Sequence, residues 1–512
     1  MESSAAGDRG LPPGVPMALV AMGLGVLVIA NDFTALNVAV PAIEGDLNVD
    51  VGTAQWVINA YALTFGMAIV TGGRLADMYG RRRIFFIGTA IFATFSVLGG
   101  AAQDIGWLIG ARVGMGIGGA LMWPAILGMT YATLPAERAA LAGGLILGAA
   151  GIGNAFGPLI GGLLTDELSW RWIFFLNVPI AAFAVLVTRA KVAADAPGEE
   201  REGLDMKGVA TLSAGLLLAL LGFDQAADWG WGDPRVIAMF VLSVLLIGAF
   251  ALIEPRLGAR ALVPSDVISN RRFRAACFAT LLMSAVFFST VLYAPQFMEK
   301  ILGYTALEAG LGLLPMLGTF ALVSFFAGPL YERFGARVTV SAGALGLCIG
   351  PFLLSRIDAQ SEYTALIAGL AVTGLGVGLF YASITTTAVT ALDPSRSSLA
   401  GGVVYMFQIA GGAIGLGVTT TIFTESSESE LAEASSQAGI DLTAHQTGVL
   451  HGLLAGTDSA TAALAQLPAG AARTVEQIAK DSFAAGVQSG FEFVAVAAVL
   501  GLVISVLRVG RD

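Results

Sequence analysis

The sequence predicts an all-α polytopic membrane protein with 14 transmembrane helices, grouped as six, two and six, and with both termini cytoplasmic. Three observations predict it: long apolar runs, a lopsided distribution of Lys and Arg, and a loop sequence that occurs twice. Hydrophobic residues make up 56% of the 512 positions and charged residues 12%, about half the charged share of a soluble domain. A helical crossing needs about 20 apolar residues. Inside the bilayer every backbone polar group must be satisfied internally, which leaves helices or a closed barrel. The runs are continuous rather than alternating, so they read as helices.

In chain order, a cytoplasmic segment 1–16, "MESSAAGDRGLPPGVP", carries one Arg and no small-residue cleavage site, so the run at 17–40 reads as a retained helix. Further runs at 53–73, 84–102, 107–131, 139–164 and 172–189 complete an N-terminal half, 17–206. Runs at 207–223 and 235–254 form two linking helices (207–254), followed by a cytoplasmic linker, 255–272. Runs at 274–296, 306–327, 338–355, 363–387, 398–423 and 486–508 make up a C-terminal half, 273–508. It encloses a long outer loop, 424–485, and a tail, 509–512, follows it. That loop reads either as a small helical hairpin outside the membrane or as a solvated connector.

With the N-terminus inside, the inner segments hold 20 of the 27 Lys and Arg residues and the outer loops 6, leaving Arg112 within a helix. Such an excess on one side sets orientation. Trp56, Trp107, Trp170, Trp172, Trp229 and Trp231 fall near outer helix ends, as an interfacial aromatic belt does. The repeat couples "GGRLADMYGRRR", after the second run, to "AGPLYERFGARV", after the tenth. Gly73, Leu75, Asp77 and Gly80 match Gly328, Leu330, Glu332 and Gly335, each 255 residues later. Parallel repeats flanking a midplane site are an architecture of secondary transporters.

Much of the net charge of −10 sits in the outer loop and does not suggest an acidic partner. Cys277 and Cys348 fall within predicted helices and read as packing residues, and His445 and His451 lie in the outer loop. No metal site is expected. A phosphate-binding loop needs Gly before its Lys. Lys191, Lys207, Lys300 and Lys480 follow Ala, Met, Glu and Ala, which speaks against an ATP-driven machine.

Asp32 stands alone as a carboxylate in "VLVIANDFTALNVAVP". A charge at a helix centre costs about 2.5–3.5 kcal/mol on insertion scales, and such residues mark function by default. Counting to the end of the run at residue 40 places Asp32 about eight residues, or roughly 12 Å, from the outer helix end. Arg112 lies at a comparable depth in the fourth run. The two together are either a switchable pair or a static ion pair that fixes helix packing. In the repeated loop, Gly73 and Gly80 permit a tight reversal, and Asp77 can pair with Arg81, Arg82 or Arg83 or cap the third helix. The loop is a conformational latch or simple positive-inside anchoring.

"GGRLADMYGRRR" resembles the loop signature of the major facilitator superfamily. "NDFTALNVAVP", "LIGARVGMGIGGA", "GNAFGPLIGG", "SWRWIFFLNVP" and "ILGYTALEAGLGLLP" are similar to motifs of its fourteen-helix drug–proton antiporter branch, the EmrB/QacA type. The resemblance covers nearly the whole chain and implies the major facilitator fold. It assigns proton coupling or substrate recognition to Asp32 and Arg112, and a gating loop to Gly73, Asp77, Gly80, Arg81 and Arg82, with Glu332 and Gly335 in the second copy. It assigns a bendable, exporter-type fifth helix to Gly153, Gly157, Pro158, Gly161 and Gly162. Small residues there also serve tight packing. Asn37, Trp123, Asn154, Phe156, Tyr405, Phe407 and Gln408 are cavity candidates, for which ordinary packing is the competing reading. Two positions depart from the pattern. Met115 stands where Gln is common, and the only acid in the tenth run, Glu308, lies near its outer end, which favours monocationic or neutral cargo.

The implied protein is a proton-coupled exporter of hydrophobic drugs or metabolites, working by alternating access as a multi-pass protein of the cell membrane. It is not an enzyme. Its partners are a lipophilic small molecule and membrane lipids, without nucleic acid or ATP. It acts as a monomer, and protons are the coupling ion in place of a cofactor. The alternative is an exporter of an endogenous lipid or self-made natural product, with drug resistance incidental.

Overall fold

The computed structural model describes residues 14–195, 203–437 and 469–509. Among them, 13 helices are long and apolar enough to cross a membrane. One, Ala306–Leu354, runs for 49 residues and breaks at Gly335, whose φ of 77° and ψ of 167° are not helical. It is therefore two helices end to end, which brings the described residues to fourteen helices of this kind. They are α1 (Val15–Leu47), α2 (Val51–Tyr79), α3 (Arg81–Gly100), α4 (Ile105–Thr133), α5 (Ala139–Glu167), α6 (Arg171–Lys191), α7 (Met206–Trp229) and α8 (Pro234–Ile253). The second half holds α9 (Arg271–Lys300), α10 (306–334), α11 (336–354), α12 (Tyr363–Thr390), α13 (Ser397–Gln437) and α14 (Ala469–Arg508). An even number of crossings brings the start of α1 and the end of α14 to one face, called here the terminal face.

The two copies of the repeated loop make the same turn. Gly80 between α2 and α3 has φ 103° and Gly335 between α10 and α11 has φ 77°. Residues with a Cβ avoid this region, so glycine is required at both.

Three sequence expectations change. The first helix does not stop at Pro41: it runs on to Leu47 and ends at Asn48, whose left-handed φ of 52° closes it. One missing N–H at Pro41 does not end a helix otherwise held by packing along its length. Asp32 therefore lies near the middle of α1, deeper than the sequence count placed it. The outer loop 424–485 is shorter than expected, because α13 continues to Gln437 and α14 begins at Ala469. Phe423 packs on Phe483 at 5.2 Å, the Ser426 and Ser489 hydroxyls meet at 2.8 Å, and Leu431 and Ile478 form a small apolar cluster of their own. These contacts extend the two helices as a pair. His445 and His451 lie outside the described residues. Lastly, Trp170 is not a belt residue. It is 2% exposed, and its indole N–H donates to Asp46, which also receives Arg171.

Helix α5 is the central strut. One of its faces packs on α1 through Gly153, Gly157 and Gly161. A Cβ on Gly153 would stand 2.8 Å from the Leu27 carbonyl oxygen. Another face meets the second half: Gly144 lies against the Ser324 carbonyl and Gly151 against the Ala321 backbone, both on α10. The fifth helix passes through Pro158 as one continuous helix, and its glycines act here as close-approach sites. Helix α7 lies along α2 and α13, with the Ser213 hydroxyl donating to Met67 O at 3.0 Å and Phe223 facing Gly417. Helix α8 is the outermost, with only 17% of its membrane window buried in protein.

Candidate functional site

Asp32 on α1 and Arg112 on α4 are both fully buried and form an ion pair between Oδ2 and Nη1. Local structure aims each of them. The α1–α5 glycine contacts hold α1 in place beside the rest of the half. Asp104 caps α4 by accepting from Trp107 N at 2.8 Å, and Arg112 follows about two turns further in. Its Nε donates to the Val57 carbonyl of α2 at 2.7 Å, a bond a Lys could not copy. The guanidinium carbon lies 4.2 Å from the centre of the Tyr61 ring, within cation–π range. Met115, where Gln is common in the family pattern, lends its sulfur to Nη1 at 3.8 Å.

Two further residues complete the site, and the sequence reading did not single them out. Asn177 on α6 donates to Asp32 Oδ1 at 3.3 Å and to the Ser96 hydroxyl of α3, also at 3.3 Å. Ser96 in turn donates to the Phe174 carbonyl at 2.7 Å. Asn177 is 1% exposed and Ser96 is fully buried. Asn177 stands inside the quoted "SWRWIFFLNVP", so the motif carried the signal, though its spacing alone did not say which residue pointed inward. Both oxygens of Asp32 are thus engaged, one by a cation and one by an amide.

This arrangement is a closed, buried ion pair with a neutral amide on the second carboxylate oxygen. A carboxylate holds the guanidinium, whereas a protonated carboxyl does not, and breaking one side of a buried pair costs about 3–5 kcal/mol.

The α2–α3 loop is engaged with the second half on the terminal face. The Asp77 side chain is 4% exposed and accepts from Leu399 N at 2.7 Å and Ser398 N at 3.2 Å. These are free N–H groups at the start of α13, where the helix dipole favours an anion. Arg81 pairs with Asp77 at 3.2 Å and donates to Pro394 O at 2.6 Å and Gly128 O at 3.1 Å. Gly73 lies against the Ser398 and Leu399 backbone, where a Cβ would meet the Ser398 carbonyl at 2.7 Å. Asp393, next to Pro394, has its carboxyl held below the ordinary range by hydrogen bonds from Ser395.

Asp77 does not cap α3. Asp195, beyond α6, accepts from the N–H groups of Arg82 and Arg83 at 3.1 and 2.9 Å, and its side chain fills the space beside Gly80. Arg82 reaches instead to the carbonyls of Val192 and Arg189. The second copy behaves differently: Glu332 is exposed and makes no hydrogen bond or ion pair among the described residues.

The cavity candidates divide. Trp123 and Tyr405 meet across the two halves with ring centres 4.4 Å apart, and Phe65 joins Tyr405 at 5.6 Å. Phe407 packs on Phe278 at 5.8 Å. Gln408 is half-buried on the same helix. Asn154 contributes its backbone carbonyl to the Thr34 hydroxyl at 3.3 Å. Asn37 is exposed and donates to Phe33 O of its own helix, and Phe156 is 51% exposed. Glu308 forms a capping box with Thr305 at the start of α10, a structural role. Cys277 is buried and Cys348 half-buried, and both are free thiols.

Comparison with known proteins places the chain. The family model described as Major Facilitator Superfamily matches residues 22–416. The chain belongs to that superfamily of membrane transporters, and it is a transporter rather than an enzyme. It is 35% identical over 452 residues to the puromycin resistance protein pur8 of Streptomyces alboniger, covering 86% of this chain and 88% of that one. It is 30% identical over 416 residues to the tetracenomycin C resistance and export protein of Streptomyces glaucescens, covering 81% and 76%. The fold is similar to the crystal structure of the human organic anion transporter MFSD10, with TM-score 0.64 at 14% identity, over 96% of this chain and all of that one.

Proposed function

We propose that the protein is a proton-coupled antiporter of the cell membrane, with both termini cytoplasmic, that exports hydrophobic, monocationic or neutral compounds by alternating access. The observation that carries the coupling is the buried Asp32–Arg112 pair, with Asn177 on the second carboxylate oxygen. A proton arriving from outside neutralises Asp32 and frees Arg112. The halves rearrange, the cytoplasmic lock at Asp77 and α13 opens, and the proton leaves inward as cargo is taken up. Protons are the only coupling partner, and one chain suffices as the transporting unit. The exporter direction is supported by relatives named for antibiotic resistance and export.

Those names favour a natural product over an endogenous lipid as cargo. Reconstituted vesicles with an interior pH dye test the reading. Puromycin and a panel of lipophilic monocations should drive proton movement that a protonophore abolishes. Transport that survives the protonophore at full rate would remove proton coupling from the account.

A further inference from the structure

Three buried hydrogen-bond donors, one of them on the ion pair itself, have no partner among the described residues: Arg112 Nη2, the Tyr61 hydroxyl and Trp123 Nε1. All three residues are essentially buried, at 0%, 0% and 2% exposed. Arg112 and Trp123 stand on α4, and Tyr61 reaches the stretch between them from α2. The Tyr61 ring lies against the Arg112 guanidinium, and its hydroxyl reaches 3.2 Å from where a Cβ on Gly119 would stand. Gly119 is about 10 Å further along α4 than Arg112, and Trp123 follows after roughly another 6 Å, at 1.5 Å per residue. The line ends where Trp123 packs on Tyr405 of the other half. An unpartnered buried donor costs about 1–3 kcal/mol, so three on one path call for a small ligand that accepts and donates hydrogen bonds. Buried water, which takes two to four polar partners, is a ligand of that kind.

We infer that this lane binds water and conducts protons between the seam of the two halves and Asp32, with the Tyr61 hydroxyl as its relay. A hydronium in the lane gives its proton to a lone pair of the phenol oxygen while the phenol's own hydrogen passes to the next water. One O–H bond forms as another breaks, Tyr61 ends neutral, and the final transfer protonates Asp32 as Arg112 lets go. Gly119 leaves room for the Phe65 ring and, beside it, the phenol tip. The inference rests on the proton-coupled reading above.

The test needs no cargo. The full-length protein is taken through a rapid drop in pH while the carboxylic C=O band is followed by infrared spectroscopy, with Asp32→Asn identifying the Asp32 contribution. Tyr61→Phe keeps the ring against Arg112 and removes only the O–H. It should reach the wild-type band amplitude about tenfold more slowly or worse, as expected when a proton-transfer group is lost. Trp123→Phe, lacking its N–H, should slow the band less. Equal rates in wild type and Tyr61→Phe would overturn the relay while leaving proton coupling intact. A wild-type protein with no Asp32-dependent band at any pH would overturn coupling at Asp32 itself, and the relay with it.

Discussion

At the scale of single residues the account turns on a charge pair held by neutral neighbours. Arg112→Ala leaves Asp32 buried with only Asn177, so it should lower stability by about 3–5 kcal/mol, read as an earlier thermal unfolding midpoint in detergent. Arg112→Lys keeps the charge but loses the Val57 bond, and should fall between that variant and wild type. If both unfold like wild type, the pair carries no structural weight. Asp32 and Arg112 were legible in the sequence because a charge inside an apolar run is conspicuous. Asn177, Ser96 and Tyr61 were not, since neutral polar side chains sit throughout these helices and only the packing of α1, α3, α4 and α6 decides which turn inward. Trp123 and Tyr405 were legible as cavity candidates, but not as partners of each other.

At the scale of helices, glycines and caps set the spacing. Gly157 of α5 abuts Thr34 of α1, where a Cβ would meet the Thr34 Cβ at 2.8 Å. Gly157→Leu should therefore cost about 1–3 kcal/mol through overpacking and separate α1 from α5, seen as a lower unfolding midpoint. Asp195 caps α3 from outside that helix, so Asp195→Ala should cost about 1 kcal/mol, whereas Asp195→Asn should retain most of it. Equal losses in both would point to charge rather than capping. The apolar runs and the repeat made nearly every crossing readable in advance. Helix ends were less so. Pro41 reads as a stop, yet α1 continues past it, and α13 extends into a polar stretch because Phe423 and Leu431 find α14 alongside.

At the scale of the whole transporter, the terminal face is locked by one copy of the repeated loop and not by the other. Asp77 reaches the start of α13, whereas Glu332 faces outward. Removing the charge should loosen only that lock. Ser398 is fully buried at this contact, so a thiol introduced by Ser398→Cys reports on its opening. Adding Asp77→Asn to that background should raise labelling of the thiol by a membrane-impermeant maleimide supplied from the terminal face. Unchanged labelling would mean that Asp77 does not hold the halves together. The repeat announced the loop, but which copy engages depends on how the halves meet, and that is not written in either copy alone. Tyr131 and Thr386 mark this meeting directly, with their hydroxyls 3.0 Å apart across the halves at positions related by the 255-residue offset.

Whether Asp32 carries the coupled proton is decided in sealed vesicles holding a pH dye. Wild type and Asp32→Asn are compared during puromycin addition, with and without a protonophore. Protonophore-sensitive proton movement is expected in wild type and none in the variant, although the variant still binds the compound. Full proton-coupled transport by Asp32→Asn would contradict this and reduce the buried pair to a packing element.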